Sequence, residues 1–164
     1  MNSKKLFIWG FLFVSVIGSL LHFVYEWSGN NSIVRLFAPW NESTWEHMKL
    51  LFFPMLVLVL FLFFKLPEQS PIPAALSIGT LVGLALIPIL FYTYTGVLGF
   101  SVMAIDIAIF YISVLGVFLT GWFLKDNRKL ANRNGLLLTC LVILASLFCI
   151  FSYYPPEIGL FQEP

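Results

Sequence analysis

Five long apolar stretches, separated by short polar breaks, make up most of this chain. A helix needs about 20 consecutive apolar residues to cross the hydrocarbon core of a bilayer. The mean hydropathy is +0.93 and only 10% of the residues are charged, so a water-soluble domain of this composition would expose far too much apolar surface. The sequence therefore predicts an all-α, polytopic transmembrane helical bundle that forms a single transmembrane domain over residues 1–164. The five spans are expected at about 6–27, 45–66, 72–95, 100–124 and 136–154.

Basic residues are distributed unevenly between the two sides of this five-helix path. Seven of the nine lie on the side of the N-terminus, and only Arg35 and Lys49 lie on the other. The positive-inside rule then predicts a multi-pass protein of the cell membrane with a cytoplasmic N-terminus and an extracytoplasmic C-terminus. Because no small-x-small cleavage site follows the first apolar run, we expect that helix to be retained. Membrane lipids are the expected surroundings, and the absence of a basic patch interleaved with aromatic residues argues against nucleic acid as a partner.

Ionisable and aromatic side chains collect at one level of the bundle, on the side of the C-terminus. An ionisable group within a span is costly and usually faces a functional cavity, so this layer predicts an outward-facing intramembrane site. The layer comprises His22 and Glu26 at the end of the first helix, Glu42, Glu46, His47 and Lys49 at the start of the second, Tyr92 and Tyr94 at the end of the third, and Asp106 about two turns into the fourth.

Polar residues also recur at helical spacing, which places them on single faces. We expect these stripes to face the interior of the bundle, where small residues permit close approach of the helices. They are Ser15, Ser19, His22 and Glu26 on the first helix, Asp106, Ser113 and Thr120 on the fourth, and Thr139, Ser146 and Tyr153 on the fifth, with Gly79 and Gly83 as a close-contact pair on the third.

Several of these residues also have a purely structural interpretation. Ser43 and Glu46 have the spacing of a capping box at the start of the second helix. Lys49 lies three residues after Glu46 and has the spacing of an ion-pair partner. Five aromatic residues are typical of an interfacial aromatic belt: Trp27, Trp40, Trp45, Tyr92 and Tyr94.

Three kinds of chemistry fit the polar layer. A divalent metal such as zinc could be held by His22, Glu26, Glu46 and His47. Alternatively, His22, Glu26 and Asp106 could act as catalytic acid and base groups on a lipid-like substrate, or the layer could capture a small lipophilic amine. Haem between His22 and His47 is disfavoured, because the surrounding carboxylates make a poor haem pocket. The residues assigned to ligand binding are Trp27, Glu42, Trp45, Lys49, Tyr92 and Tyr94.

A further alternative is a non-catalytic membrane scaffold or interaction protein, in which the polar cluster is a structural hydrogen-bond network. The sequence leaves open the substrate, the identity of any metal and the oligomeric state.

The strings "LLHFVYEWSG" and "NESTWEHMKLLFFP", followed by "FYTYTG", resemble an uncharacterised family of small bacterial five-helix integral membrane proteins. The patterns that carry this resemblance are His-x2-Tyr-Glu-Trp and Asn-Glu-Ser-x-Trp-Glu-His-x-Lys. A weaker, architectural likeness relates the chain to the emopamil-binding and sterol-isomerase superfamily, in which a His-x3-Glu pair and a Trp-Glu element line a pocket for a lipid or an amine. That likeness implies pocket roles for His22, Glu26, Trp45 and Glu46, although the Asn and Trp that the superfamily uses on a later helix have no counterpart within the fifth span.

The orientation can be tested with topology reporters. A reporter fused after Pro164 should be extracytoplasmic and one inserted near Asn127 cytoplasmic, because seven of the nine basic residues lie on the side of Asn127. Paired alkaline phosphatase and green fluorescent protein fusions measure this directly. The opposite pattern would move the polar layer to the other leaflet.

Overall fold

Residues 2–163, which the computed structural model describes, form five α-helices and no strand. All five are long and apolar enough to cross a membrane, so the predicted fold class is confirmed. Three short 3₁₀ helices lie in the connections and in the C-terminal segment, at Val34–Leu36, Arg128–Arg133 and Gly159–Phe161. The α-helices are α1 (Ser3–Trp27), α2 (Thr44–Lys65), α3 (Ile72–Leu98), α4 (Met103–Leu124) and α5 (Asn134–Tyr153).

We call the end of the bundle at which α1 ends, α2 begins and α5 ends the upper end. At this end α3 stops at Gly99, which adopts the left-handed conformation with φ +81°. Val102 is extended and precedes the first turn of α4, so Asp106 lies in that first turn. The expectation that Asp106 lies two turns into the helix was wrong, because residues 100–102 belong to the connection and not to the helix.

The start of α2 is capped by hydrogen bonds from its own sequence. The Glu46 amide donates to the Ser43 hydroxyl at 3.3 Å, which is half of the predicted capping box. The Ser43 amide instead donates to the Asn41 side chain at 3.1 Å. The Glu46 carboxylate is therefore free for a different partner in the interior.

Glycines set the closest helix contacts. A Cβ atom on Gly79 of α3 would lie 2.3 Å from the backbone carbonyl oxygen of Val117 on α4, and one on Gly18 of α1 would lie 2.5 Å from that of Leu50 on α2. Neither position can hold a side chain without moving a helix, so these glycines bring α3 against α4 and α1 against α2.

The polar stripes face the interior only in part. On α4, Ser113 is fully buried, while Asp106 and Thr120 are half-buried. On α1 the expectation holds for Ser15, which is buried, but is wrong for Glu26, which is exposed at the end of the helix.

The stripe on α5 does not face the interior. Thr139 and Ser146 of α5 are exposed, and their hydroxyls donate to carbonyl oxygens one turn earlier on the same helix, at 2.9 and 3.2 Å. Because that local bond satisfies a hydroxyl without any help from the bundle, polarity did not mark the inner face of this helix. The face that α5 buries carries Asn134, Leu141, Phe148 and Ser152.

Gly79→Ala should destabilise the fold by about 1–3 kcal/mol, the usual cost of overpacking, because its Cβ would meet backbone and not a flexible side chain. Gly96→Ala, on the same helix with open space around it, is the matched control and should be neutral or slightly stabilising. Thermal melting in one detergent compares the two variants. Equal melting temperatures would contradict the α3–α4 packing.

Candidate metal centre

Three side chains near the upper end bring nitrogen and oxygen atoms together in a metal-compatible cluster. His22 on α1, Glu42 in the connection before α2 and His47 on α2 each offer one ligand atom, and these atoms all lie within 4.8 Å of one another. His22 and His47 are half-buried and Glu42 is exposed, so the cluster lies at the edge of the bundle. We call these three residues the His–Glu–His cluster.

The tautomer of His47 follows from its neighbours. Its Nδ1 lies 3.1 Å from the Ser43 carbonyl oxygen, which can only accept a hydrogen bond, so Nδ1 carries a proton and donates it. The other ring nitrogen, Nε2, lies 3.3 Å from the Glu42 carboxylate. In a neutral imidazole that nitrogen is an acceptor, and two acceptors would face each other. The lone pair of Nε2 and the Glu42 carboxylate therefore face the same position, where a bound cation would contact both.

His22 completes the cluster from α1. Its ring centroid lies 5.4 Å from that of His47. Its Nδ1 is buried and, among residues 2–163, has no hydrogen-bond partner. A buried polar nitrogen without a partner is costly, and a bound cation would remove that cost.

A small pocket of about 110 Å³ adjoins the cluster. His22 and Glu42 form part of its wall, so the ligand atoms of the cluster and the pocket share a boundary. The remaining lining residues come from the end of α1 and from the connection to α2, and they are Phe23, Tyr25, Glu26, Pro39, Trp40 and Asn41.

Glu46 and Lys49 form a second, fully interior cluster. The Lys49 ammonium is 0% exposed and donates to the Glu46 carboxylate at 2.6 Å, to the Ser152 hydroxyl at 2.5 Å and to the Arg35 carbonyl oxygen at 2.9 Å. These three bonds use all three ammonium donors. The ion pair that the spacing suggested is thus formed, and Glu46 uses its carboxylate there and not beside the histidines.

The same cluster connects three parts of the chain. Lys49 and Glu46 belong to α2, Ser152 to α5 and Arg35 to the connection between α1 and α2. The Arg35 guanidinium donates to the Ser152 carbonyl oxygen at 2.6 Å and lies 3.6 Å above the ring of Trp40. Trp40 in turn lines the pocket, so α5 and the pocket wall are joined through Arg35.

Asp106 lies in a third, local contact. The Tyr94 hydroxyl donates to the Asp106 carboxylate and accepts a hydrogen bond from the Val102 amide at 3.0 Å. This arrangement closes the turn between α3 and α4. The structure thus places seven of the predicted site residues in three separate clusters, and Asp106 does not belong to the His–Glu–His cluster. Glu26, predicted as a metal ligand, is not one of its three members either.

The aromatic residues predicted for ligand binding contact protein groups. Trp45 is buried and packs against the rings of Phe148 and Phe161, with centroid distances of 4.4 and 4.8 Å. The Tyr92 hydroxyl donates to the carbonyl oxygen of Gly159 at 3.0 Å. Trp27 is exposed and does not line the pocket, although it stacks on Phe23, which does. These contacts are structural, but the belt interpretation is wrong for Trp45, which is buried in the core of the bundle.

Sequence reasoning did not identify Arg35 and Ser152 as partners of Lys49. The sequence could have indicated a special role for Arg35, because it and Lys49 are the two basic residues on the acidic side of the bundle. It could not have indicated Ser152, since the position of this side chain depends on which face α5 buries.

Lys49→Met should destabilise the protein by about 3–5 kcal/mol, because it leaves the Glu46 carboxylate buried without its cation. The double variant Glu46→Leu/Lys49→Met should recover much of that loss, since buried ion pairs are often replaced by apolar residues at little net cost. Melting temperatures of the single and double variants in one detergent test this. A double variant as unstable as the single one would show that the pair itself is not what Lys49 stabilises.

Comparison with curated proteins and with solved structures finds no match for this chain. A family model does match, and it covers residues 1–164. In agreement with the predicted membership of an uncharacterised family, the chain belongs to the family of unknown function DUF6512.

Proposed function

We propose that this protein is a multi-pass membrane metalloprotein that binds one divalent metal ion, best suited to zinc, through His22, Glu42 and His47. A bound zinc ion would supply Lewis acidity and an activated water molecule for a hydrolytic step on an amphiphilic substrate. The five spans would form a single transmembrane domain with the metal centre on the extracytoplasmic side, as the basic residues predict.

The geometry of the Glu42–His47 pair carries this proposal. Ligands at about 2.0–2.1 Å from a tetrahedral zinc ion lie roughly 3.3 Å from one another. The Glu42 oxygen and the His47 nitrogen are 3.3 Å apart, so both could ligate one ion with this distance unchanged. The Nδ1 hydrogen bond to the Ser43 carbonyl oxygen is the orienting contact that metal-bound histidines usually make.

The number and type of ligands support an open site. Two histidines and one carboxylate make up the protein ligand set of many catalytic zinc centres, which leave a fourth position for water or substrate. The pocket shares His22 and Glu42 with the cluster, so we expect that fourth position to open toward it. Glu26 of α1 also lines the pocket, while Glu46 is engaged with Lys49.

The charge distribution favours cations at this end. Of the eight acidic residues only Glu68 and Asp126 lie at the opposite end, which leaves six at the upper end against Arg35 and Lys49. Such a local excess raises the concentration of cations near the site. The likeness to the sterol-isomerase superfamily stays a prediction, and it is in line with an amphiphilic substrate.

Metal binding is tested with cobalt, which replaces zinc and absorbs visible light when tetrahedral. The wild-type protein in detergent should bind stoichiometric Co²⁺ and show intense d–d bands, and Zn²⁺ should displace it. His22→Ala, His47→Ala and Glu42→Gln should each weaken binding by more than the roughly 10–100-fold that loss of an outer-shell partner causes.

The control for this test is Glu157→Gln, which removes the same charge from the same end of the bundle but lies outside the cluster. It should leave Co²⁺ binding unchanged. Wild-type protein without cobalt bands, but with lower melting temperatures in the three ligand variants, would instead support the scaffold alternative, in which the cluster is a structural network.

A further inference from the structure

We infer that the pocket beside the metal centre binds the ammonium head group of an amphiphile, with the Glu26 carboxylate as its counter-ion. That such a compound is a substrate rests on the proposed function. That it binds in the pocket rests on the size and lining of the pocket alone.

The size of the pocket selects a small group. Its volume of about 110 Å³ suits a compact head group of a few heavy atoms and is far too small for a whole lipid. The rest of any larger ligand must therefore extend out of the pocket.

The walls have the chemistry of an organic-cation site. Phe23, Tyr25 and Trp40 supply aromatic rings, which attract ammonium groups through their electron-rich faces. Glu26 and Glu42 supply negative charge. The pocket wall itself contains no basic side chain apart from the half-buried His22.

The two carboxylates of the pocket have separate tasks. Glu42 lies 3.3 Å from His47 and belongs to the His–Glu–His cluster. The Glu26 carboxylate is exposed and, within the part of the chain that the structure describes, has no hydrogen-bond or ion-pair partner. One negative group is thus available for a metal and a second for an ammonium ion.

Arg35 does not cancel this negative charge by binding Glu26. Its guanidinium covers one face of Trp40 at 3.6 Å and donates to the Ser152 carbonyl oxygen at 2.6 Å. Both contacts hold it on the side of α5. Among the residues that the structure describes, the Glu26 carboxylate is therefore not paired with a protein cation.

An apolar surface continues from the pocket along α1. Phe23 lines the pocket and its ring is 46% exposed, on a helix that is apolar enough to cross a membrane. Leu20 and Val16, three and seven residues earlier on α1, are exposed on the same helical face and lie further toward the middle of the span. An alkyl chain attached to the bound head group can follow these side chains into the bilayer, so an amphiphile should bind more tightly than its head group alone.

The experiment compares octyltrimethylammonium, used below its micellar concentration, with tetramethylammonium and with an uncharged tert-butyl analogue of the octyl compound. Binding to wild-type protein, Glu26→Gln and Glu157→Gln in an uncharged maltoside detergent is measured by isothermal calorimetry, and bound metal is measured on the same samples. We expect octyltrimethylammonium to bind wild type about tenfold or more tightly than the uncharged analogue, since tenfold corresponds to about 1.4 kcal/mol. Tetramethylammonium should compete with it, but more weakly.

Glu26→Gln should remove the preference for the charged compound and leave metal content unchanged, whereas Glu157→Gln should change neither. Equal binding of the charged and uncharged compounds to wild type would overturn the inference, even if the Glu26 variant did not fold. Retention of the full preference in a folded Glu26→Gln protein would also overturn it. A protein that held no metal would overturn the proposed function alone, because ammonium binding through Glu26 would still support the pocket assignment.

Discussion

The upper half of this fold depends on one buried ammonium group. Lys49 is 0% exposed inside an apolar bundle, where an unpaired charge would be very costly, and it is tolerated because Glu46, Ser152 and the Arg35 carbonyl oxygen accept all three of its hydrogen bonds. These acceptors come from α2, from α5 and from the connection between α1 and α2. Few residues of α5 are buried, and this contact, together with the packing of Trp45 on Phe148, holds the upper half of that helix against α2.

The proposed metal centre is a consequence of the same arrangement. The first two turns of α2 present Glu46 and Lys49 to α5, while His47 lies beside His22 of α1. The connecting segment that Lys49 holds through Arg35 continues through Trp40 to Glu42, which brings a carboxylate to the two histidines. Neighbouring residues of α2 therefore belong to two different clusters. Glu46 and Lys49, inside the bundle, hold the connection between α1 and α2 in place. His47, at the edge of the bundle, belongs to the proposed ligand set.

Hydropathy alone predicted the five helices, and no observed end differs by more than three residues from its expected position. The level of the polar layer was also predictable, because helix direction fixes the depth of each side chain. The grouping within the layer was not. Glu42 lies outside any helix, so its approach to His47 depends on the path of the connection, and periodicity carries no information about that path. The inner face of α5 was missed because Thr139 and Ser146 satisfy their hydroxyls within the helix, while the buried seven-residue pattern of Asn134, Leu141 and Phe148 is mostly apolar.

The central claim is that two imidazoles and one carboxylate, at the edge of a five-helix membrane bundle, hold a zinc ion. X-ray absorption at the zinc edge of the zinc-loaded protein in detergent tests it most directly, because the spectrum reports the type, number and distance of the coordinating atoms. The account predicts a four-coordinate shell of nitrogen and oxygen at about 2.0–2.2 Å, with the multiple-scattering signature of two imidazoles. A shell containing sulfur at about 2.3 Å, or six oxygen atoms without imidazole, would contradict the assignment to His22, Glu42 and His47.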